Sequence, residues 1–302
     1  MRSYFFRQFL IHDIPEEYKK KGIKWEQKVL HLHPDQIIII QKSGFESNLV
    51  TIDRSGLVPH KDIEKMNKRD FHLLWDKIRN RYLEGDVYYL TIDSVNMFII
   101  EYSFGYQSFA VCELIFENIE ESIKYKKQPF FTAEVTFDSR FFYKNMIQTP
   151  RSAVEVISDK GIRDLSVGTI PFLWEEGVLK VVLVTNRRGN HWIFPKGSIE
   201  KNKTMQEVAL MEANEEAGIE GIIVDDCPIL IPYSKGDKSI NLLAYPILVN
   251  SIKKKWLEER FRQRKVVDIQ TAFSLIDQKG MIDSLRFLQL NAQKYQLYID
   301  HR

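Results

Sequence analysis

Two periodicities divide the chain. In the first half, apolar positions recur every second residue or in short β-branched and aromatic runs. This pattern predicts strands over 5–11, 28–33, 36–41, 48–53, 87–93, 97–104 and 109–116, separated by turn residues. So many short strands with few helical stretches make an antiparallel sheet or barrel. Brief helices are predicted over 69–75 and 139–146. A polar, proline-marked stretch at 148–152 is the natural linker, which places domains at 1–150 and 151–302. Beyond it, strands at 166–173 and 178–185 flank a tight turn at 175–177. Further strands are predicted near 221–224, 229–233 and 242–249. A closing helix over about 275–290 places Ile282, Leu285 and Leu288 at helical spacing. Strands mixed with two helices give an α+β class.

The most informative stretch is the loop and helix from Phe194 to Ile219, FPKGSIEKNKTMQEVALMEANEEAGI. Thr204 followed by Glu207 is a capping box, so a helix starts near Met205, and Gly218 supplies the left-handed residue that ends it. Glu212, Glu215 and Glu216 then share one face, leaning toward the helix N-terminus and the Lys196 loop. A solvated acidic face would have the same spacing. The preceding turn of proline, lysine and glycine, however, suits backbone approach to phosphate, and clustered carboxylates beside it suit Mg2+, with Mn2+ as a substitute.

Length, at 302 residues, fits two domains on the usual scale of roughly 100 to 200 residues each. A net charge of +2 disfavours a general nucleic-acid coat, so no DNA partner is expected. Cys112 and Cys227 stand far apart without zinc-like spacing, which fits a reducing cytoplasm. No apolar run approaches the roughly 20 residues of a membrane span, and the N-terminus lacks a cleavage signal. Basic residues are therefore of interest locally. Arg79 and Arg81 alternate in IRNRY, a strand-like stretch that would send both to one face, where Glu101 and Glu113 could join them; ordinary surface charges would read the same way.

Residues 1 to about 148 resemble the CYTH, or triphosphate tunnel, domain in the order FFRQFLIHDIP, VTIDRSG, IRNRY, FIIEYSFG, FAVCELIFE and TAEVTFDSRFFYKNM. That resemblance implies a closed eight-stranded tunnel, and by position Arg79, Arg81, Glu101 and Glu113 match tunnel residues. The family's opening acidic signature falls on Tyr4, Phe6 and Gln8, its paired arginines on the apolar run 37–40, and a later lysine on Asp53. A non-catalytic tunnel is the expectation, since the cations that would offset a buried triphosphate are missing.

Residues of roughly 165–295 resemble the Nudix hydrolases. Gly197, Glu212, Ala213, Glu215, Glu216, Gly218 and Ile219 fall in place in the family's box, while Lys203 stands for its first glutamate and Met211 for its arginine. The resemblance implies an α/β/α sandwich and magnesium-dependent hydrolysis of a diphosphate linked to another group. Glu212, Glu215 and Glu216 would hold metal. The segment WLEERFRQR would offer Glu258 or Glu259 as a base, or be an amphipathic surface helix. Lys196, Arg187, Arg188, Arg262 and Arg264 would grip a phosphate-rich small molecule such as a diphosphoinositol phosphate, a dinucleoside polyphosphate or a nucleotide. The alternative is a catalytically impaired regulatory protein that binds polyphosphate or nucleotide, and a homodimer fits either reading. Lys203 could pair with a carboxylate, or Glu200 and Glu207 could replace the missing acid. Trp192 is expected in the core.

Overall fold

The structure, a computed structural model, describes residues 2–19, 22–33, 35–56, 58–79, 82–104, 107–158, 161–236 and 238–300. It divides into two compact units, residues 1–161 and 162–302. The stretch expected as a linker is helical, with Tyr143–Gln148 ending there and Pro150–Val154 following.

The first unit is a closed eight-stranded antiparallel barrel. Its strands are β1 (Arg2–Ile11), β2 (Ile23–Leu32), β3 (Gln36–Ser43), β4 (Glu46–Asp53), β5 (His60–Lys65), β6 (Tyr82–Ile92), β7 (Val95–Phe104) and β8 (Gln107–Phe116). They pair in the order β1-β5-β4-β3-β2-β6-β7-β8 and back to β1. Seven of the eight were predicted. The charged β5, HKDIEK, escaped notice because it shows no apolar alternation.

Residues directly opposed in an antiparallel ladder share a face. Register therefore traces one wall through Gln8, Glu113 and Phe98, and through Tyr4, Lys61, Ile52 and Ile37. On this wall, side chains two strands apart touch: Lys61 of β5 reaches Glu113 of β8, and the Trp25 ring of β2 lies 5.5 Å from that of Tyr102 of β7. Such convergence occurs on the concave side, so this wall is the lumen. Opposite it, Arg7 turns outward to pair with Glu134 at 2.6 Å. Trp25, Ile37, Ile39, Val50, Ile52, Ile100 and Tyr102 fill the lumen.

Two expectations about tunnel residues are corrected here. Arg79 is not on a strand: the helix Lys68–Lys77 runs past the predicted 69–75, ends with the Ile78 N–H donating to the Leu74 carbonyl, and leaves Arg79 in exposed coil. Glu101 lies opposite Asp86 and Ala110, on the outer wall, where it accepts a hydrogen bond from the Tyr88 hydroxyl at 3.1 Å. Arg81 lies outside the described residues.

The second unit is a mixed sheet between helices. Leu165–Glu175 runs parallel to the long strand Lys238–Ile252 and antiparallel to Lys196–Ser198 and Val178–Thr185. The outer strands are Ile219–Ile223, Ile229–Lys235 and Arg264–Asp268, the last of which was not predicted. Val167 packs with Val208 and Ala209 of the helix Met205–Ala217, whereas the Phe172 ring stacks on Tyr295 of the helix Lys279–Asp300. Val167 and Phe172 are an odd number of residues apart and so face opposite sides of their strand. The two helices therefore cover opposite faces, an α/β/α sandwich. Cys112 and Cys227 are buried and not joined in a disulfide. No helix among the described residues is long and apolar enough to cross a membrane.

Candidate active site

The helix Met205–Ala217 forms where its caps dictate. The Thr204 hydroxyl accepts from the Glu207 N–H, and the Glu207 carboxylate accepts from the Thr204 N–H at 2.7 Å. This reciprocal box is worth about 1 kcal/mol. It also engages Glu207, which is therefore not a replacement for the acid missing at Lys203. At the other end Gly218 adopts φ +61°, and its N–H returns to Ala213 and Asn214. A side chain there would strike Trp256, so both backbone conformation and space demand glycine.

Gly197 places the loop against the helix. A Cβ at this position would lie 1.7 Å from Glu212 Oε1, so the carboxylate occupies the space that a side chain would take. The neighbouring Lys196 N–H donates to Glu216 Oε2 at 3.0 Å. Loop and helix are thus joined by two glutamates, one through close packing and one through a hydrogen bond.

The segment WLEERFRQR is neither a helix nor an appendage. It forms turns that follow the long strand, and the Glu258 N–H donates to the Glu215 carbonyl at 3.1 Å. Glu258 then accepts from Arg187 at 2.6 Å and from Arg262 Nε at 2.5 Å. Burial raises the Glu258 pKa, but these two guanidinium groups outweigh it and hold the carboxyl below its ordinary range. Glu259 is exposed.

Two arginines expected to hold phosphate are committed elsewhere. Arg262 is buried, and its guanidinium donates to Glu216, to Glu258 and to the Thr185 carbonyl. Arg264 donates to the Ala217 carbonyl at 2.6 Å and to the Lys253 carbonyl at 2.9 Å, with its guanidinium 4.2 Å from the Trp256 ring centre. It closes the C-terminal end of the helix, where carbonyls lack partners and a cation is favoured. The remaining cations fit the expectation better. Arg188 is exposed and makes no ion pair or hydrogen bond among the described residues, and Arg187 holds only Glu258. The Lys196 ammonium lies 4.9 Å from the Tyr233 ring centre, and burial lowers its pKa against the pull of Glu216.

The carboxylates are crowded. Burial first, then Glu216, Glu215 and Glu258, push the Glu212 carboxyl up to about 7. Glu216 is also raised, by burial, against the pull of Arg262. The side chains of Glu212 and Glu215 make no hydrogen bond or ion pair among the described residues, whereas both oxygens of Glu216 are engaged. Among those residues no three acidic, cysteine or histidine side chains converge as a preformed metal cage.

The two departures from the box touch each other. Lys203 pairs with Glu200 at 2.7 Å, and its ammonium lies 2.9 Å from Met211 Sδ. Trp192 is half-buried, with the Lys265 ammonium 4.7 Å from its ring centre, rather than deep in the core. His191 Nδ1 lies 2.5 Å from Asp277.

The barrel holds a second charged cluster that sequence reasoning missed in part. Glu113 is in the lumen as expected, but it is paired with Lys61 and accepts from the Tyr143 hydroxyl at 3.0 Å and from Gln8 at 3.4 Å. Arg54 donates to Gln8 at 3.1 Å and to the Thr136 carbonyl at 2.8 Å. The missed signal was Lys61, which stands opposite Tyr4 in register.

No protein-family model matches the chain. Among curated proteins it is 29% identical over 154 residues to Nudix hydrolase 21, chloroplastic, of Arabidopsis thaliana, covering 46% of this chain and 78% of that one. It is 30% identical over 141 residues to Nudix hydrolase 16, mitochondrial, of the same plant, covering 40% and 77%. Similar solved structures include a binary complex of the C. elegans Ap4A hydrolase, at 20% identity over 46% of this chain and 98% of that one with a TM-score of 0.37. Another is the inorganic triphosphatase NE1496, at 16% identity over 49% and 97% with a TM-score of 0.35. Thirty per cent identity across more than two thirds of a relative, in a chain whose box glycine and box glutamate meet in space, makes this protein a member of the Nudix hydrolase family.

Proposed function

We propose that the second unit hydrolyses a diphosphate linkage in a phosphate-rich small molecule, with magnesium held by Glu212 and Glu215 and with Glu216 behind them. The observation that carries this reading is the crowding at Glu212, whose pKa of about 7 reflects burial beside three other carboxylates. A site with that excess of negative charge suits a hard divalent cation, which one or two carboxylates hold while water and substrate phosphates complete the shell. Bound magnesium supplies neutralisation of phosphate oxygens.

The protein's own groups do the rest. Lys196 and the exposed Arg188 meet the phosphates, the latter with a fork that matches phosphate geometry. Arg187 holds Glu258 at the edge of the site. Glu212, which makes no hydrogen bond among the described residues, is better placed to accept a proton from an attacking water than Glu258, both of whose oxygens are occupied by arginines. The barrel is an accessory unit in this reading: the one deeply buried lumenal carboxylate among the described residues, Glu113, is neutralised by Lys61, and Tyr4, Phe6 and Gln8 offer no acidic ligands.

The second reading, a polyphosphate- or nucleotide-binding regulator without turnover, is favoured by one observation: Lys203 and Met211 stand together where the box has an acid and an arginine. Phosphate release separates the two. Native protein and Glu215→Gln are assayed on diphosphoinositol phosphates, dinucleoside polyphosphates and nucleoside triphosphates, with and without magnesium. Turnover that needs magnesium and is lost in Glu215→Gln supports hydrolysis. Binding of these compounds without any turnover establishes the regulator.

A further inference from the structure

The helix Met205–Ala217 reads MQEVALMEANEEA and contains no cation. Its glutamates at 212, 215 and 216 therefore cannot be oriented from within the helix, and Met211 offers only a thioether. That side chain packs against the cluster of Val167, Val208, Ala209 and Tyr245 and meets Lys203. A guanidinium must come from elsewhere. Arg262 brings one: it is 7% exposed and enters between the helix and the turn that holds Glu258. Its Nη2 donates to Glu216 Oε1, its Nε to Glu258 Oε2 at 2.5 Å and its Nη1 to the Thr185 carbonyl at 2.7 Å.

Arg262 is itself held in place. Next to it the Gln263 N–H donates to the Thr185 hydroxyl at 3.0 Å, and the Thr185 N–H donates to the Gln263 carbonyl at 2.9 Å. One turn earlier, Glu258 is fastened to the Glu215 carbonyl. The fork thus spans the end of a strand, the box helix and the following turn. A planar group with donors at fixed angles can serve three acceptors in this way, and a lysine cannot.

We propose that Arg262 is the positioning residue of this site, performing from outside the box the carboxylate-orienting work that Met211 cannot do within it. The inference rests on the hydrolase reading above for its purpose but not for its first test. Glu216 carries the Lys196 backbone on its other oxygen, so fixing Glu216 also fixes the loop over which Glu212 lies. Loss of the fork releases Glu216 and Glu258 together, leaving the buried Glu216 without its cation and Glu258 with Arg187 alone.

The test measures Mn2+ affinity by electron paramagnetic resonance on the full chain, alongside thermal midpoint and turnover. It compares native protein, Arg262→Lys, Arg262→Met, Met211→Arg and the double variant Met211→Arg with Arg262→Met. Loss of an orienting partner commonly costs about 10 to 100-fold in metal affinity or activity. Arg262→Lys keeps the charge and is expected to fold, yet to bind Mn2+ at least about tenfold more weakly on that scale. Met211→Arg alone should change little, because the position is already served, and the double variant should regain affinity relative to Arg262→Met.

Native Mn2+ affinity in folded Arg262→Lys overturns the proposal, as does tighter binding, which would make Arg262 a competitor of the metal. If Arg262→Met fails to fold, Arg262→Lys still decides. No recovery in a folded double variant overturns the equivalence with the box position. Failure of the hydrolase reading is distinguishable: native protein that turns nothing over while Arg262→Lys weakens Mn2+ sinks that reading and leaves the positioning role intact. Native turnover with unchanged affinity and turnover in Arg262→Lys does the reverse.

Discussion

Gly197→Ala is the sharpest perturbation of the site. The new methyl carbon would lie 1.7 Å from Glu212 Oε1 and 2.1 Å from its Cδ, against an ordinary contact of at least 3.4 Å. One of the two must move by about 1.7 Å. The loop is tied to the helix through the Lys196 N–H and Glu216, so the mobile end of Glu212 yields. The rotation of an unpartnered side chain costs little stability, at most about 1 kcal/mol for one strained rotamer. Activity is another matter. A misplacement of about 1 Å in a reacting group lowers rates by about 100-fold, or about 2.7 kcal/mol of transition-state stabilisation. Gly197→Ala should therefore keep its thermal midpoint within a few degrees of native, while Mn2+ affinity and kcat/KM on any substrate the native protein turns over fall by one to two orders of magnitude. Turnover within threefold of native would refute the reasoning, as would an activity loss that merely follows unfolding.

The barrel's buried pair gives a stability prediction: Lys61→Met leaves Glu113 uncompensated and should cost about 3 to 5 kcal/mol in urea denaturation, most of it recovered when Glu113→Gln is added. If the double variant is no better than the single one, the pair is not the source of the loss. Arg264→Met removes two bonds to carbonyls at the helix end and should lower stability by about 1 to 3 kcal/mol with phosphate affinity unchanged, whereas Arg188→Ala should do the opposite. For pH, the Glu212 carboxyl at about 7 in the folded chain lies above its ordinary 4.5, so the folded state retains a proton that the unfolded state has lost between those values. Stability attributable to this group therefore falls as pH rises from 4.5 to 7 in chelator. Thermal midpoints of native protein minus those of Glu212→Gln should decline across that window, and a flat or rising difference refutes the assignment.

What the chain revealed in advance follows from how local each feature is. The capping box at Thr204 and Glu207, the left-handed Gly218 and the alternation in β6 to β8 are decided by neighbours within a few residues, and they stand where the pattern put them. β5 was hidden because Lys61 points inward from it, and a lysine faces a lumen only when a carboxylate three strands later in sequence, Glu113 of β8, waits there. Arg79 of IRNRY misled for the converse reason. The segment's alternating charges imitate a strand, but the helix ahead extends to Lys77 and spends Ile78 on its cap.

The site shows the same division at finer scale. Glycine and glutamate positions in the box were legible because backbone geometry and helical spacing fix them. The arginines were not, since a guanidinium on a flexible three-carbon stem is assigned only by what stands within its reach. Arg264 and Arg262 are two residues apart in one strand entry, yet one closes a helix and the other ties two carboxylates to a carbonyl. All three nitrogens of Arg262 are engaged, and both terminal nitrogens of Arg264 are spent on carbonyls, so neither presents the free fork expected of a phosphate clamp. On the proposed reading, the substrate's charge then falls to Lys196 and Arg188. Arg262 and Arg187 thus serve carboxylates, whereas the Lys196 ammonium rests on the Tyr233 ring and Arg188 stays exposed.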